Sequence, residues 1–258
     1  MKSFVALSLL LICIVSWTAE SSKASSNEAF PVPTPTPQSA DKGKKNSRPE
    51  QAGATTAVPS ASKTSANPVY FYEFSRPGFT YGKITIEHDE DGRGKISFLK
   101  DGFDETITDP IALSPATLTK IKQIITDLDF LNSSEEYQYE RDYSHLGNVT
   151  FTVRKGARER TVKYNWTVNK TAKELMDEYR RIANEYTWLF EFNVARVNQP
   201  LMTPSMIDAL DAYLRRSEIS NPAHLLPFLT EAAGDEKLPL IARNHAAKLI
   251  KQIEKAAK

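Results

Sequence analysis

Two hydrophobic periods divide the chain. From Val69 to Trp166 apolar and polar positions alternate in short runs, which is the pattern of strands with one covered face. Val69–Phe74 is aromatic and β-branched, and Arg76-Pro-Gly-Phe79 closes it. Ile84 and Ile86 share a face in the next run, and Ile96 and Phe98 in the one after. Asp89-Glu-Asp-Gly-Arg-Gly94 between them reads as a hairpin connection with glycines for positive φ. Thr106–Thr108 predicts a further strand after the turn at Asp101-Gly102. Val149, Phe151 and Val153, then Val162, Tyr164 and Trp166, predict a second hairpin.

One helix interrupts the strands. Ser114 is placed to cap it, Pro115 suits its first position, and Leu118, Ile121, Ile124, Ile125 and Leu128 form its stripe. After Asn169 the spacing becomes helical throughout. Leu175, Met176, Tyr179, Ile182, Ala183, Tyr186 and Leu189 hold one face of a long helix that Pro200 stops. Helices starting at Thr203-Pro204 and Asn221-Pro222 follow, and a last one carries Ile241, His245, Leu249, Ile250 and Ile253. The expected fold class is α+β: an antiparallel sheet of about five to six strands with one helical layer, then a C-terminal helical lobe.

The first 68 residues follow neither period. Lys2, an apolar run from Phe4 to Trp17 and a small polar stretch to Ser26 have the layout of a secretory signal peptide. The run falls short of the roughly 20 residues of a membrane span. Small residues at Ser22 and Ala24 place cleavage after Ala24. Residues 25–68 are rich in Pro, Ser and Ala and hold few large apolar side chains, so a disordered linker is expected there. Pro31, Pro33, Pro35 and Pro37 favour an extended polyproline stretch within it. The expected organisation is a signal over 1–24, a linker over 25–68, an α+β domain over 69–200 ending in the long helix, and a helical lobe over 201–258 packed on it.

Charge and cysteine content sharpen that division. The formal net charge is +1, with +1 on the signal and +2 on the linker, so −2 falls on the remainder. No basic surplus argues for a nucleic-acid partner. The single cysteine, Cys13, lies inside the apolar run and follows Ile12, where a lipoprotein cut needs a small residue. It leaves with the signal, and no integral membrane span remains. A cysteine-free exported domain of this size suits a bacterial periplasmic or extracellular location.

Catalytic constellations are sparse. No Gly-x-Ser-x-Gly elbow occurs, and Ser60-Ala-Ser-Lys63 matches a penicillin-binding motif by letter but within the linker. His88, His145, His224 and His245 are far apart, and His245 falls on a buried helical stripe. The acidic hairpin Asp89–Gly94 has alternate oxygen ligands beside glycine, but Lys100 stands where a calcium loop needs a bidentate Glu. No phosphate loop is present. The loop 133–147 sets Glu135, Glu136, Glu140 and Asp142 beside Tyr137, Tyr139 and Tyr143. Those tyrosines either pack over the sheet edge or help form a carbohydrate or peptide surface. No catalytic, cofactor-binding or metal-ligating residue is assigned, and no cofactor is expected.

The segments Ile84–Phe98 and Pro239–Ala246 are similar to those of uncharacterised secreted bacterial proteins of acidobacterial type. That resemblance implies an exported bacterial protein and carries no activity or site residue. Leu225–Leu229, Asp235, Ile241–Arg243, Ala246, Leu249 and Ile253 resemble one HEAT-type helical hairpin. The expected role is a non-catalytic binding or interaction module of the cell envelope, with an unidentified protein or envelope polymer as partner. The alternative is a hydrolase of an envelope polymer working through the carboxylates of loop 133–147.

Overall fold

A computed structural model describes residues 69–102 and 105–256. The expected signal over 1–24, the expected linker over 25–68 and the Ser60–Lys63 match lie outside the described residues. Six strands form one antiparallel sheet: β1 (Tyr70–Ser75), β2 (Tyr81–His88), β3 (Arg93–Lys100), β4 (Ile107–Ala112), β5 (Asn148–Lys155) and β6 (Arg158–Tyr164). Their spatial order is β4-β3-β2-β1-β5-β6. The first four strands meander outward from β1. Helix α1 (Pro115–Asp127) then returns the chain so that β5 pairs with the free side of β1. Helices α2 (Lys170–Asn198), α3 (Thr203–Arg215), α4 (Leu226–Gly234) and α5 (Leu240–Ala256) complete the α+β fold.

Alternation sets which face is covered. In register across the sheet, Phe98, Ile84, Phe74, Val149 and Tyr164 form one row, and Ile96, Ile86, Tyr72, Phe151 and Val162 form the next. These rows pack under α1 and the first half of α2, with Ile121, Ile124, Leu175, Tyr179 and Ile182 above them. The opposite face carries short polar pairs such as Ser97–Thr108 and Thr152–Thr161, with Lys83–Glu73 as an ion pair.

Both sheet edges are closed. At β4 the Tyr186 hydroxyl donates to the Ala112 carbonyl and accepts from its N–H, and Pro110 removes a donor. At β6 the loop 133–147 runs alongside, so Arg160 reaches the carbonyls of Phe130 and Glu135 and the Gln138 side chain meets Asn165. These contacts disfavour strand-by-strand pairing at the covered positions.

The caps follow local chemistry. Ser114 Oγ accepts from the Thr117 N–H and Asn169 Oδ1 from those of Thr171 and Ala172, each worth about 1 kcal/mol to its helix. The hairpin Asp89–Gly94 is held by its first residue: Asp89 Oδ1 accepts from the N–H groups of Asp91 and Arg93, both at 2.9 Å, and Gly92 takes φ 78°.

Helix α2 serves two cores. Its second half contributes Trp188, Leu189 and Phe192 to a cluster with Ile207, Leu210, Leu225, Leu229 and Leu249. A polar seam joins the two cores. The buried carboxylate of Glu178 accepts from Ser220 (2.6 Å) and Arg181 (2.7 Å) and pairs with Lys120 (2.9 Å) of α1. Burial alone would raise its pKa; the bonds from Ser220, Lys120 and Arg181 outweigh that and hold it below the ordinary value. About two turns further on, buried Glu185 accepts from the Asn221 N–H and meets His224 Nδ1, both at 2.7 Å. Removing either carboxylate leaves partly buried donors unpaired, which is why the seam is costly to break. Among the described residues no helix is long and apolar enough to cross a membrane.

Candidate binding cleft

Where α1 stops covering the sheet, a cleft opens between the sheet and α2. Its volume is about 750 Å³, within the range of small-molecule sites. The floor is the core face of β1, β2 and β5: Tyr72, Phe74, Ile84 and Val149. One wall is the β1–β2 turn, where Arg76 lies over the Phe79 ring at 3.1 Å from its centroid. The other wall is the Leu146–Gly147 turn with Trp166, whose ring sits 5.5 Å from that of Tyr143. Helix α2 supplies the roof. Phe79, Leu146 and Trp166 remain exposed at the mouth, 41%, 46% and 39% respectively, although each is large and apolar. Exposed apolar side chains grouped around a concavity mark a binding site more than scattered ones do.

The cleft's charges come from a single stripe of α2. Lys173, Asp177 and Arg180 lie at i, i+4 and i+7, and Asn184 continues the stripe. Asp177 is mostly covered and accepts from Lys173 Nζ at 2.5 Å and Arg180 Nη2 at 2.8 Å. Both cations are about half exposed. Each has N–H donors left over, because lysine carries three and arginine five. The stripe therefore shows the cleft one surplus positive charge. Beneath it, Tyr72 is 3% exposed, stacks on Tyr179 at 5.1 Å, and makes no hydrogen bond to any described residue. The hydroxyl oxygen is not a sealed unpartnered atom, so it is open to the cleft.

The loop 133–147 resolves into separate roles. Tyr137 is buried and meets the Tyr164 ring edge-on at 5.9 Å, so it packs at the sheet edge. Asp142 accepts from the Ser144 N–H (2.8 Å) and Asn165 Nδ2 (2.6 Å), which shapes the turn. Glu135 accepts from Asn169 Nδ2. Glu136 and Glu140 are exposed. None of the four borders the cleft. Tyr139 pairs through its backbone N–H with the Trp166 carbonyl, which ties the loop to the cleft wall.

The histidines are held by unrelated partners. His88 is fully buried: Nδ1 donates to the Asp89 carbonyl (2.9 Å) and Nε2 accepts from the Tyr179 hydroxyl (2.8 Å). Burial lowers its pKa to about 4; the Asp89 carbonyl and charge oppose this, and Lys122 adds to it. His245 sits between Asp208 (2.9 Å) and Asp211 (3.5 Å) and joins α5 to α3. The Asp211 distance is an ion-pair separation, and Nε2 lacks a hydrogen bond there. His145 is an exposed residue in the turn beside Tyr143. Among the described residues no three His, Cys, Asp or Glu side chains gather as a metal site.

Sequence reading missed the cleft because its parts come from distant segments. One signal was present: Lys173, Asp177 and Arg180 share one face of α2. Comparison with protein-family models gives no match, and comparison with curated protein sequences gives none either.

Proposed function

We propose that this chain is an exported bacterial protein acting as a non-catalytic binding module of the cell envelope, and that the cleft between α2 and the sheet is its binding site. The observation that carries the reading is the cleft's composition. It combines an aromatic, exposed mouth with an apolar floor and a charged stripe on one side. Such a site holds a ligand by shape and burial, and a few placed polar groups orient it. Among the described residues lining it, no candidate nucleophile and base are brought together.

The test is thermal stabilisation by a panel of metal ions, sugars, muropeptides, peptides and amphiphiles. At about 100 times its Kd, a ligand adds about 2.7 kcal/mol, or about 5–10 °C in a domain of this size. At least one class is expected to do so, and the double substitution Phe79→Ala with Trp166→Ala is expected to abolish the shift. A shift that survives both substitutions would move the site elsewhere, and no shift from any class would sink the reading.

Export rests on the N-terminal pattern around Lys2, Phe4–Trp17 and Ala24. Mass spectrometry of protein recovered from the periplasm or medium of a bacterial host should place the mature N-terminus at Ser25, give or take a few residues. Recovery of a chain still bearing Met1 and Cys13 would count against it.

A further inference from the structure

We infer that the ligand of this cleft is a carboxylate-bearing amphiphile, with its carboxylate between Tyr72 and Arg180 and its apolar body along the aromatic walls. The inference rests on the binding reading above and names the chemistry the site selects.

Three observations converge on it. First, Tyr72 lines the floor of the cleft and is 3% exposed as a residue, and its hydroxyl, which makes no hydrogen bond to a described residue, is not a sealed atom and so is open to the cleft. Burial pushes its pKa up, and the Arg180 charge pulls the other way, so the hydroxyl keeps its proton and lies within the field of that guanidinium. A donor so placed calls for an acceptor. Second, Arg180 uses one N–H on Asp177 and has four others. A planar carboxylate matches that fork better than a round ion does. Lys173 adds a second cation on the same stripe, and Asp177 cancels only one of the two. That surplus positive charge attracts an anionic headgroup and repels a cationic one. Third, most of the remaining lining is apolar: Phe74, Ile84, Val149 and Met176 inside, Phe79 and Trp166 at the mouth, with Thr80, Asn165 and Asn184 as polar exceptions. A free small anion would leave that surface wet.

Each methylene buried there should strengthen binding about fourfold, so octanoate, decanoate and dodecanoate should bind progressively tighter, by calorimetry below the concentration at which micelles form. Dodecanol and dodecyltrimethylammonium should bind at least about tenfold more weakly than dodecanoate, because a charge-assisted hydrogen bond is lost. Acetate should not bind measurably. Tyr72→Phe should weaken dodecanoate about tenfold without lowering the Tm, since the hydroxyl makes no bond within the protein. Arg180→Met, on a half-exposed side chain, should weaken it similarly and should abolish the preference over dodecanol.

The outcomes separate the two readings. Equal affinity for the anionic, neutral and cationic probes, with wild-type binding in both variants, overturns the carboxylate assignment while leaving a cleft that binds apolar chains. No binding of any amphiphile, alongside a shift from another class that Phe79→Ala with Trp166→Ala removes, overturns the amphiphile itself. Loss of every cleft-dependent shift overturns the binding reading beneath it.

Discussion

Gly94→Ala is expected to destabilise the protein by about 3 kcal/mol or more, about 6–12 °C in Tm for a folded region of this size. The residue sits in β3 directly opposite His88 of β2, beside the hairpin turn. A Cβ there would overlap the Glu87 carbonyl oxygen and lie 2.7 Å from both the Glu87 carbonyl carbon and the His88 Cα. Those neighbours are backbone in a central strand, so no side-chain rotation relieves the overlap. The strands must separate or the hairpin must bulge, and either movement breaks ladder bonds next to a buried histidine. Ser97→Ala, on the polar face of the same strand, is the control. Its hydroxyl pairs only with Thr108 on an exposed surface, so a change within about 0.5 kcal/mol is expected. Chemical denaturation of both variants checks the ranking. A Gly94→Ala protein as stable as Ser97→Ala would show that β2 and β3 can separate at Gly94 without cost.

The same hairpin shows what a sequence does and does not reveal. Its acidic residues and glycines were legible as a turn from spacing alone, and the calcium alternative differed in demanding a carboxylate where Lys100 stands. The strand faces were equally legible, because a period of two puts Ile84 and Ile86 on the side that must be covered, and that face also carries His88. What periodicity could not supply was partnership. Glu178 and Glu185 lie on the buried face of α2, yet their partners Lys120, Ser220 and Asn221 come from α1 and from the connection between α3 and α4. In sequence such glutamates look like solvated charges. The loop 133–147 has no period at all, so nothing local says that Tyr137 enters the core while Glu136 and Glu140 stay in water. The cleft is the extreme case. It exists because α1 covers only part of the sheet, and that follows from helix placement rather than from any one segment.

Acid should weaken the fold in two stages, and the first belongs to His88. In the folded protein its ring stacks on Tyr70 at 4.8 Å and lies near Tyr179 at 5.9 Å, with no exposure. Nδ1 faces a carbonyl, which can only accept, so the neutral ring carries its proton there and offers Nε2 to the Tyr179 hydroxyl. A second proton would have to enter at Nε2, where the tyrosine proton already points, and would place a charge among aromatic rings. The folded pKa is accordingly about 4 against an ordinary value of 6.5. Between those values the unfolded chain binds a proton that the folded chain refuses. Stability therefore falls as pH drops from about 6.5 to about 4, by about 3 kcal/mol in all. Glu178 and Glu191 act later. Burial would raise both, but their bonds to Lys120 and Ser220, and to Lys100 and Tyr81, hold them below 4.5, so their contribution is lost only as pH falls beneath that. His88→Gln keeps a polar side chain that cannot charge. It should be less stable than the wild type at pH 7.5, and the gap should close by about 3 kcal/mol on going to pH 4, measured by urea denaturation at each pH. Effects of the other histidines cancel in that difference. Parallel stability curves for the two proteins would mean that His88 takes up its proton without cost, and that the bond to Tyr179 does not fix its tautomer.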